Sequence, residues 1–395
     1  MKYDFDRFID RSGTNSVKWE FMKDNHPDVP SGTIPMWIAD MDFPCARPIL
    51  DALHDRVDKE IFGYSSNETE KYYRAVCGWY QHRFGWFVSS RDVFFGPGVV
   101  PSIGYLIALL TAPGDGVVIQ PPVYYPFARM IRTHGRTIVE NPLCERDGYY
   151  TMDYDDLEKK VSAPNTHLMI LCSPHNPVGR VWKEEELKKV VEICKRHDVN
   201  IISDEIHFDF VRQGHRHLPL SKVCPEYKDH IFTATAPSKT FNLAGMQLSN
   251  IVIHNSEVQR RWSDYIFGLV GVRRPTALAV TAAQAAYEQC EEWVEQVNCY
   301  IDANMDLISQ FLKDHLPKAR FYLPEGTYLV WVNLSGYGYD HERLDQMLLM
   351  QGRVLTEDGI LFGSQGEGYI RLNAACPRQT LEESLRRISG VLNKA

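Results

Sequence analysis

Residues 231–250 read IFTATAPSKTFNLAGMQLSN. A run of strand formers, Ile231, Phe232, Thr233 and Thr235, stops at Pro237. Lys239 follows at once, then a small-residue turn around Ala244 and Gly245, then a second apolar run from Ile251 to Ile253. Lysine is ordinarily a solvated surface residue. One set just past the end of an apolar strand is a candidate for chemistry, provided the neighbouring strands end in groups that match it.

Working outward, they do. VVIQPPVYYPF (117–127) is a strand running into a proline-rich turn, and HLMILCSPHNPVGRVW (167–182) is a continuous apolar strand that breaks at Ser173 and Pro174. A helix follows, with Leu187, Val190, Val191 and Cys194 on one face. VNIISDEIHFDF (199–210) is a short strand ending in acidic and imidazole groups, and FFGPGVVPSIGYLIALLTAPGD (94–115) is a strand end, a glycine turn and a helix closed by Pro113 and Gly114. Residues 67–84 also carry a helical pattern. Apolar strands separated by amphipathic helices predict an α/β protein whose mostly parallel sheet is covered on both faces. In such sheets ligands lie off the carboxyl ends of the strands, where Asn176, Asp204 and Lys239 all fall.

At 395 residues the chain exceeds what one core serves, so two domains are expected. The first 50 residues are rich in turn formers; within them PMWIADMDF (35–43) reads as a strand or extended arm that packs on another surface, a neighbouring subunit being a candidate, with Trp19, Phe21 and Trp37 as anchors. A long helix, broken somewhere within 277–315, leads to a second unit of a strand (327–334), a helix (340–351), a strand (368–375) and a last helix opening on a Thr380–Glu383 capping box. A net charge of −8 argues against nucleic acid as a partner. No apolar run approaches a membrane span and MKYDFDRFID has no secretory pattern, so a cytoplasmic protein is expected. The nine cysteines form no C-x-x-C pair and read as free thiols. His215 and His217 are the only close histidines, so no metal site is expected, and no G-x-S-x-G elbow occurs.

The residues at the strand ends suit pyridoxal phosphate, which needs a lysine for its aldehyde, an acid for its ring nitrogen, donors for its phosphate and a cation for the substrate carboxylate. Lys239 fits the first need, against its ordinary reading as a loop lysine. Asp204 fits the second, against a helix cap, with His207 three residues on to hold it or the ring. Asn176 could donate to the phenolate oxygen, though asparagine before proline is a common turn. Tyr124 could stack on the ring or simply pack. Gly96 to Val100 precede a helix, so free N–H groups could cradle the phosphate; Pro101 counts against a dinucleotide fingerprint. Arg371 shares a strand face with Tyr369 and Asn373 and could grip a carboxylate bidentately, against a solvated strand arginine.

Taken together, MWIADMDF, FGYSS, PVYYPF, DGYY, SPHNPVGRVW, SDEIHFDF, TAPSKTFNLAGM, EGTYLVW and IRLNAACP resemble fold-type I pyridoxal phosphate enzymes of the aminotransferase class I/II superfamily. More narrowly they resemble the MalY/PatB branch of cystathionine β-lyases and cysteine C–S lyases. The resemblance implies a seven-stranded, mostly parallel sheet sandwiched by helices in a large domain over 50–285. A smaller α+β domain would span 286–395, and an arm over 1–49 would contribute to it. It implies pyridoxal 5′-phosphate as cofactor, Lys239 as the Schiff-base lysine, Asp204 at the pyridine nitrogen and Asn176 at the phenolate. Tyr124 would lie on the ring, with His207 nearby, and Val99, Val100 and Ser238 at the phosphate. Tyr64 would come across a homodimer interface, and Arg371, Asn176, Trp37 and Tyr125 would meet the amino-acid thioether. Ordinary aminotransferases carry an arginine eight positions after the lysine; Gln247 stands there instead, which favours β-elimination over transamination. Three rivals remain at this point: an aminotransferase, a regulatory protein-binding role on the same scaffold and, more distantly, a nicotinamide oxidoreductase.

Overall fold

The computed structural model describes residues 1–394. Seven strands form the main sheet: β1 (Val93–Gly96), β2 (Gly116–Ile119), β3 (Thr137–Glu140), β4 (Thr166–Cys172), β5 (Asn200–Asp204), β6 (Ile231–Thr235) and β7 (Ser249–Ile253). Their order across the sheet is β1-β7-β6-β5-β4-β2-β3, and only β7 runs antiparallel to its neighbours. The expected seven-stranded, mostly parallel sheet is therefore present. β4 to β7 are buried almost throughout because helices cover both faces, which is why they read as unbroken apolar runs. Among the covering helices are α1 (Glu70–Phe84), α2 (Val99–Leu110) and α3 (Glu184–Arg196).

The helical pattern over 277–315 breaks at Cys290 into α4 (Ala277–Gln289) and α5 (Glu291–His315). Beyond it lies an antiparallel sheet of β8 (Arg320–Phe321), β9 (Leu329–Asn333), β10 (Glu357–Asp358) and β11 (Tyr369–Asn373), in the order β8-β9-β11-β10. The closing helix, α6, runs from Arg378 to Leu392. It does not open on a Thr380–Glu383 capping box. Asn304 donates to the carbonyls of Ala374 and Cys376 at 2.9 Å and holds the chain so that Pro377 precedes the first turn. The free N–H of Arg378 goes to the Tyr300 hydroxyl at 2.8 Å, so no side-chain cap is needed. Glu383 turns outward to Arg387 instead.

The expected strand at 35–43 is also shorter than its pattern suggests. Only Ile34–Pro35 pairs, parallel to Val354–Leu355. The stretch after it is held by side chains: Asn373 donates to the carbonyls of Ile38 (2.8 Å) and Asp40 (2.9 Å), and Asn242 to those of Met41 and Phe43 at 3.0 Å. The arm before it packs on its own chain, with the Met1 amino group on Glu292 and a buried Lys18–Asp42 pair at 2.6 Å.

The two sheets are stapled at one edge. Arg180, after β4, is buried with its Nε on Glu325 and Nη2 on Glu186, each at 2.9 Å, under the rings of Tyr149 and Trp182. Glu325 also accepts from the Val181 N–H at 2.9 Å, and the N–H groups of Glu325 and Gly326 donate to the Gly179 carbonyl. Removing Glu325 leaves Arg180 paired with Glu186 but takes the acceptor from the Arg180 Nε and the Val181 N–H in a dry site. Glu325→Ala is expected to cost about 2–4 kcal/mol of stability, and Glu325→Gln clearly less. Urea unfolding followed by circular dichroism measures this; a loss under about 1 kcal/mol would mean that the pair is solvated.

Candidate active site

A cavity of about 480 Å³ opens where β4, β5 and β6 end, lined by Tyr124, Asn176, Asp204, His207, Ser238, Lys239 and the Gly98–Val100 turn. They come from five separate segments of the chain, and the parallel sheet is what gathers them.

Lys239 sits in a helical turn, Pro237–Thr240, directly after β6. That turn is tied down from behind by Asp209, a buried carboxylate that accepts from Thr240 Oγ1 (2.8 Å), Trp79 Nε1 (3.1 Å) and Arg83 Nε (3.0 Å). The Lys239 Nζ donates to the Ala39 carbonyl at 2.5 Å. Burial pushes its amine down to about 8, with Arg371 adding to the shift while Asp40 and Asp204 oppose it. Asp204, the last residue of β5, is buried and accepts a 3.1 Å bond from the Ile206 N–H. Burial pushes its carboxyl up to about 7, although Lys239 favours the anion. His207 is buried with Nδ1 unpartnered, and burial, then Lys239 and Arg371, keep its ring neutral.

Arg371, on β11, is buried at the small-sheet side. Its Nη2 donates to the Trp37 carbonyl (2.8 Å) and Glu357 (2.9 Å), and its Nη1 to Asn176 Oδ1 (3.2 Å), over the ring of Phe362. Its Nε has no partner. The arginine is thus oriented from three sides and keeps donor capacity for a carboxylate.

The phosphate end can be read from the backbone. α2 begins at Val99 after Gly98, whose φ of 128° only glycine adopts readily. A Cβ on Gly96 would lie 2.1 Å from Ser102 Oγ, so the strand must end in glycine to let the helix approach. Val99 and Val100 present first-turn N–H groups, while Pro101 has none to offer. Gln247, with φ 49°, lines the same cavity where an arginine would bring a charge. Among the described lining residues Lys239 is the only lysine or arginine. The donor set fits pyridoxal 5′-phosphate: an amine, a buried carboxylate, an amide joined to an arginine, and a helix start for the phosphate.

Of the expected residues, Trp37 and Tyr125 lie outside this cavity's lining, as does Tyr64, which is expected at a partner's site. The Trp37 ring packs with Leu349 and Leu355, and its Nε1 donates to the Lys18 carbonyl at 3.0 Å. It reaches Arg371 through its carbonyl alone, because the neighbouring turn offers it an apolar seat away from the cavity. Tyr125 lies outside Tyr124, ring centres 5.6 Å apart, against Phe362. Tyr64 is fully exposed and belongs to no wall of its own chain's cavity. The residues that sequence reasoning passed over are Ala39, Asp209, Tyr328 and Glu357. Asp209 and Tyr328 stood inside motifs already singled out, SDEIHFDF and EGTYLVW; Glu357 carried no signal, since its role depends on pairing across β10 and β11.

Residues 39–388 match the family described as aminotransferase class I and II. The chain belongs to this family. Within it, the chain is 43% identical to cystathionine beta-lyase PatB of Bacillus subtilis (strain 168) over 98% of this chain and 100% of that one. It is 32% identical to protein MalY of Escherichia coli (strain K12), over 99% and 98% of the two chains. The crystal structure of the PLP-bound C-S lyase from Staphylococcus hominis superposes with a TM-score of 0.93 at 38% identity, covering 99% of this chain and 98% of that one. The class I and II family resemblance expected from the motifs therefore holds along nearly the whole chain.

Proposed function

We propose that this chain is a pyridoxal 5′-phosphate-dependent C–S β-lyase, cleaving cystathionine or a related cysteine thioether with water into a thiol, pyruvate and ammonia. The convergence of Lys239, Asp204 and Asn176 on one cavity, with Arg371 bonded to Asn176 behind its wall, carries this reading. Bound there, the cofactor supplies an aldehyde for amines and a protonated ring that draws electrons from the amino acid's Cα–H bond. Asp204 holds the ring proton in place as its anionic partner. Asn176 and Tyr124 orient the ring, and the Val99 and Val100 N–H groups with Ser238 hold the phosphate. Arg371 grips the substrate α-carboxylate, and the neutral amine of Lys239 takes the Cα proton, after which the thiolate at Cβ departs. His207, neutral and enclosed, fills the space beside Asp204 without adding charge. The same reading divides the chain into a large domain over 50–285 and a small one over 286–395, with the arm 1–49 joined to the latter.

The deciding experiment follows pyruvate from cystathionine, cystine and alkyl-cysteines with no 2-oxo acid added. Steady pyruvate release supports the lyase; turnover only when a 2-oxo acid is supplied makes the protein an aminotransferase instead.

The reading also makes the active form a homodimer in which Tyr64 serves the partner's site. Ile61, Phe62 and Tyr64 are exposed, as are Phe267 and Leu269, and such apolar surface favours a protein neighbour. Mixing an inactive Tyr64→Ala chain with an inactive Lys239→Ala chain is then expected to restore activity, because each mixed dimer holds one intact site. No recovery after subunit exchange, with mixed dimers verified by native mass spectrometry, refutes the sharing.

A further inference from the structure

The Ala39 carbonyl is held from every side. Asn373 takes the carbonyls before and after it, those of Ile38 and Asp40, and the chain bends there, with the Asp40 N–H on the Ile38 carbonyl at 2.9 Å. The Ala39 oxygen accepts from Lys239 Nζ at 2.5 Å and from the Tyr328 hydroxyl at 3.0 Å. Tyr328 is buried just before β9, with its ring centre 5.6 Å from that of His207 and 4.9 Å from that of Phe210. Its hydroxyl touches neither cofactor space nor substrate space directly, and nothing in the reaction described above uses it. A carbonyl oxygen has two acceptor sites, and here one hydroxyl and one amine fill both.

We propose that Tyr328 is a positioning residue for Lys239: by donating to the Ala39 carbonyl it fixes the acceptor on which the free amine rests and weakens that acceptor's hold on the charged form. The inference rests on Lys239 being the cofactor's lysine. An oxygen that already accepts from one donor has less negative potential to give a second, and a charged amine loses more by this than a neutral one. The other groups that bear on Lys239 are Asp40 and Asp204, which favour its ammonium, and Arg371, which opposes it. His207 is neutral. Burial and Asp40 hold the Tyr328 hydroxyl in its protonated form well past the ordinary range, so it stays a donor while the amine titrates. The outcome is a lysine that stays in place and gives up its proton readily.

The test is carbamylation by cyanate, a small reagent that adds only to a neutral amine, read as modified Lys239 peptide by mass spectrometry. The full-length chain is used with and without pyridoxal 5′-phosphate, and an exposed lysine, Lys71, serves as internal standard. In the cofactor-free chain, Tyr328→Phe is expected to move the pH profile of Lys239 labelling up by roughly 0.5 to 1 unit, the scale of one net hydrogen bond. At fixed pH near neutrality that is a drop of about 3- to 10-fold in Lys239 labelling. A fluorinated tyrosine at position 328, a stronger donor, should move the profile the other way. An unchanged profile in a Phe variant with native melting overturns the proposal; if that variant does not fold, an unchanged profile in the fluorinated protein overturns it equally. Should the cofactor fail to protect Lys239 in the unaltered chain, the cofactor-lysine reading itself falls. If protection holds and only the shift is missing, that reading stands without the role given to Tyr328.

Discussion

Lys239→Ala is expected to lower kcat by about 10³-fold or more at saturating cofactor, the upper part of the range for a lost proton-transfer group. Two things go at once: the amine that carries the cofactor and the base that takes the Cα proton. The environment explains why this amine serves at neutral pH. With an ordinary lysine value only about one amine in a thousand is neutral at pH 7.5, whereas a value of about 8 leaves roughly one in four neutral. Borohydride should fix a label to the peptide carrying Lys239 in the unaltered protein and not in the variant. A small added amine such as methylamine should recover part of the rate by acting as a diffusible base. A variant within twofold of the unaltered protein would remove Lys239 from the mechanism.

The second large effect is expected at Asp204. Asp204→Asn keeps the shape and removes the charge, so the ring nitrogen loses its anionic partner in a buried site. Breaking such a pair costs about 3–5 kcal/mol, which is roughly 10²- to 10³-fold or more in kcat. The cofactor should also bind more weakly, whereas Asp204→Glu should recover part of both losses. Equilibrium dialysis gives the affinity and pyruvate release gives the rate. In the cofactor-free chain burial raises the carboxyl to about 7, with Lys239 the one nearby cation that opposes the shift. A protonated ring supplies a second cation, so cofactor binding is expected to pull the carboxyl back down, and the proton that Asp204 carries near pH 7 is then lost from it. Unaltered kcat in the Asn variant would show that the ring needs no anion.

Much of this site was legible because its parts sit at positions that fold-level physics singles out. Lys239, Asp204 and Asn176 mark the carboxyl ends of β6, β5 and β4, and unbroken apolar runs lead to each. Arg371 stood out as a charge inside a strand. What stayed hidden depends on contacts between stretches far apart in the chain. Ala39 acts through its backbone, so no side chain advertises it. Tyr328 looks like one more strand aromatic until Ala39 is brought to its hydroxyl from 289 residues away. Trp37 meets Arg371 through its carbonyl and not its ring, which its residue type does not announce. The helix start at Arg378 follows from Asn304 and Tyr300, two residues of a different helix, and local capping rules had no access to them.

The edge where Arg180 meets Glu325 also bears on how the molecule moves. Asn176 lies four residues before Arg180 and Tyr328 three after Glu325, so the two turns that flank the cavity on that side are welded into one piece. Relative rotation of the two sheets must therefore pivot there. Displacement grows with distance from a fulcrum, so motion of the small sheet against the large one should be least beside Arg180 and greatest at the parts farthest from it.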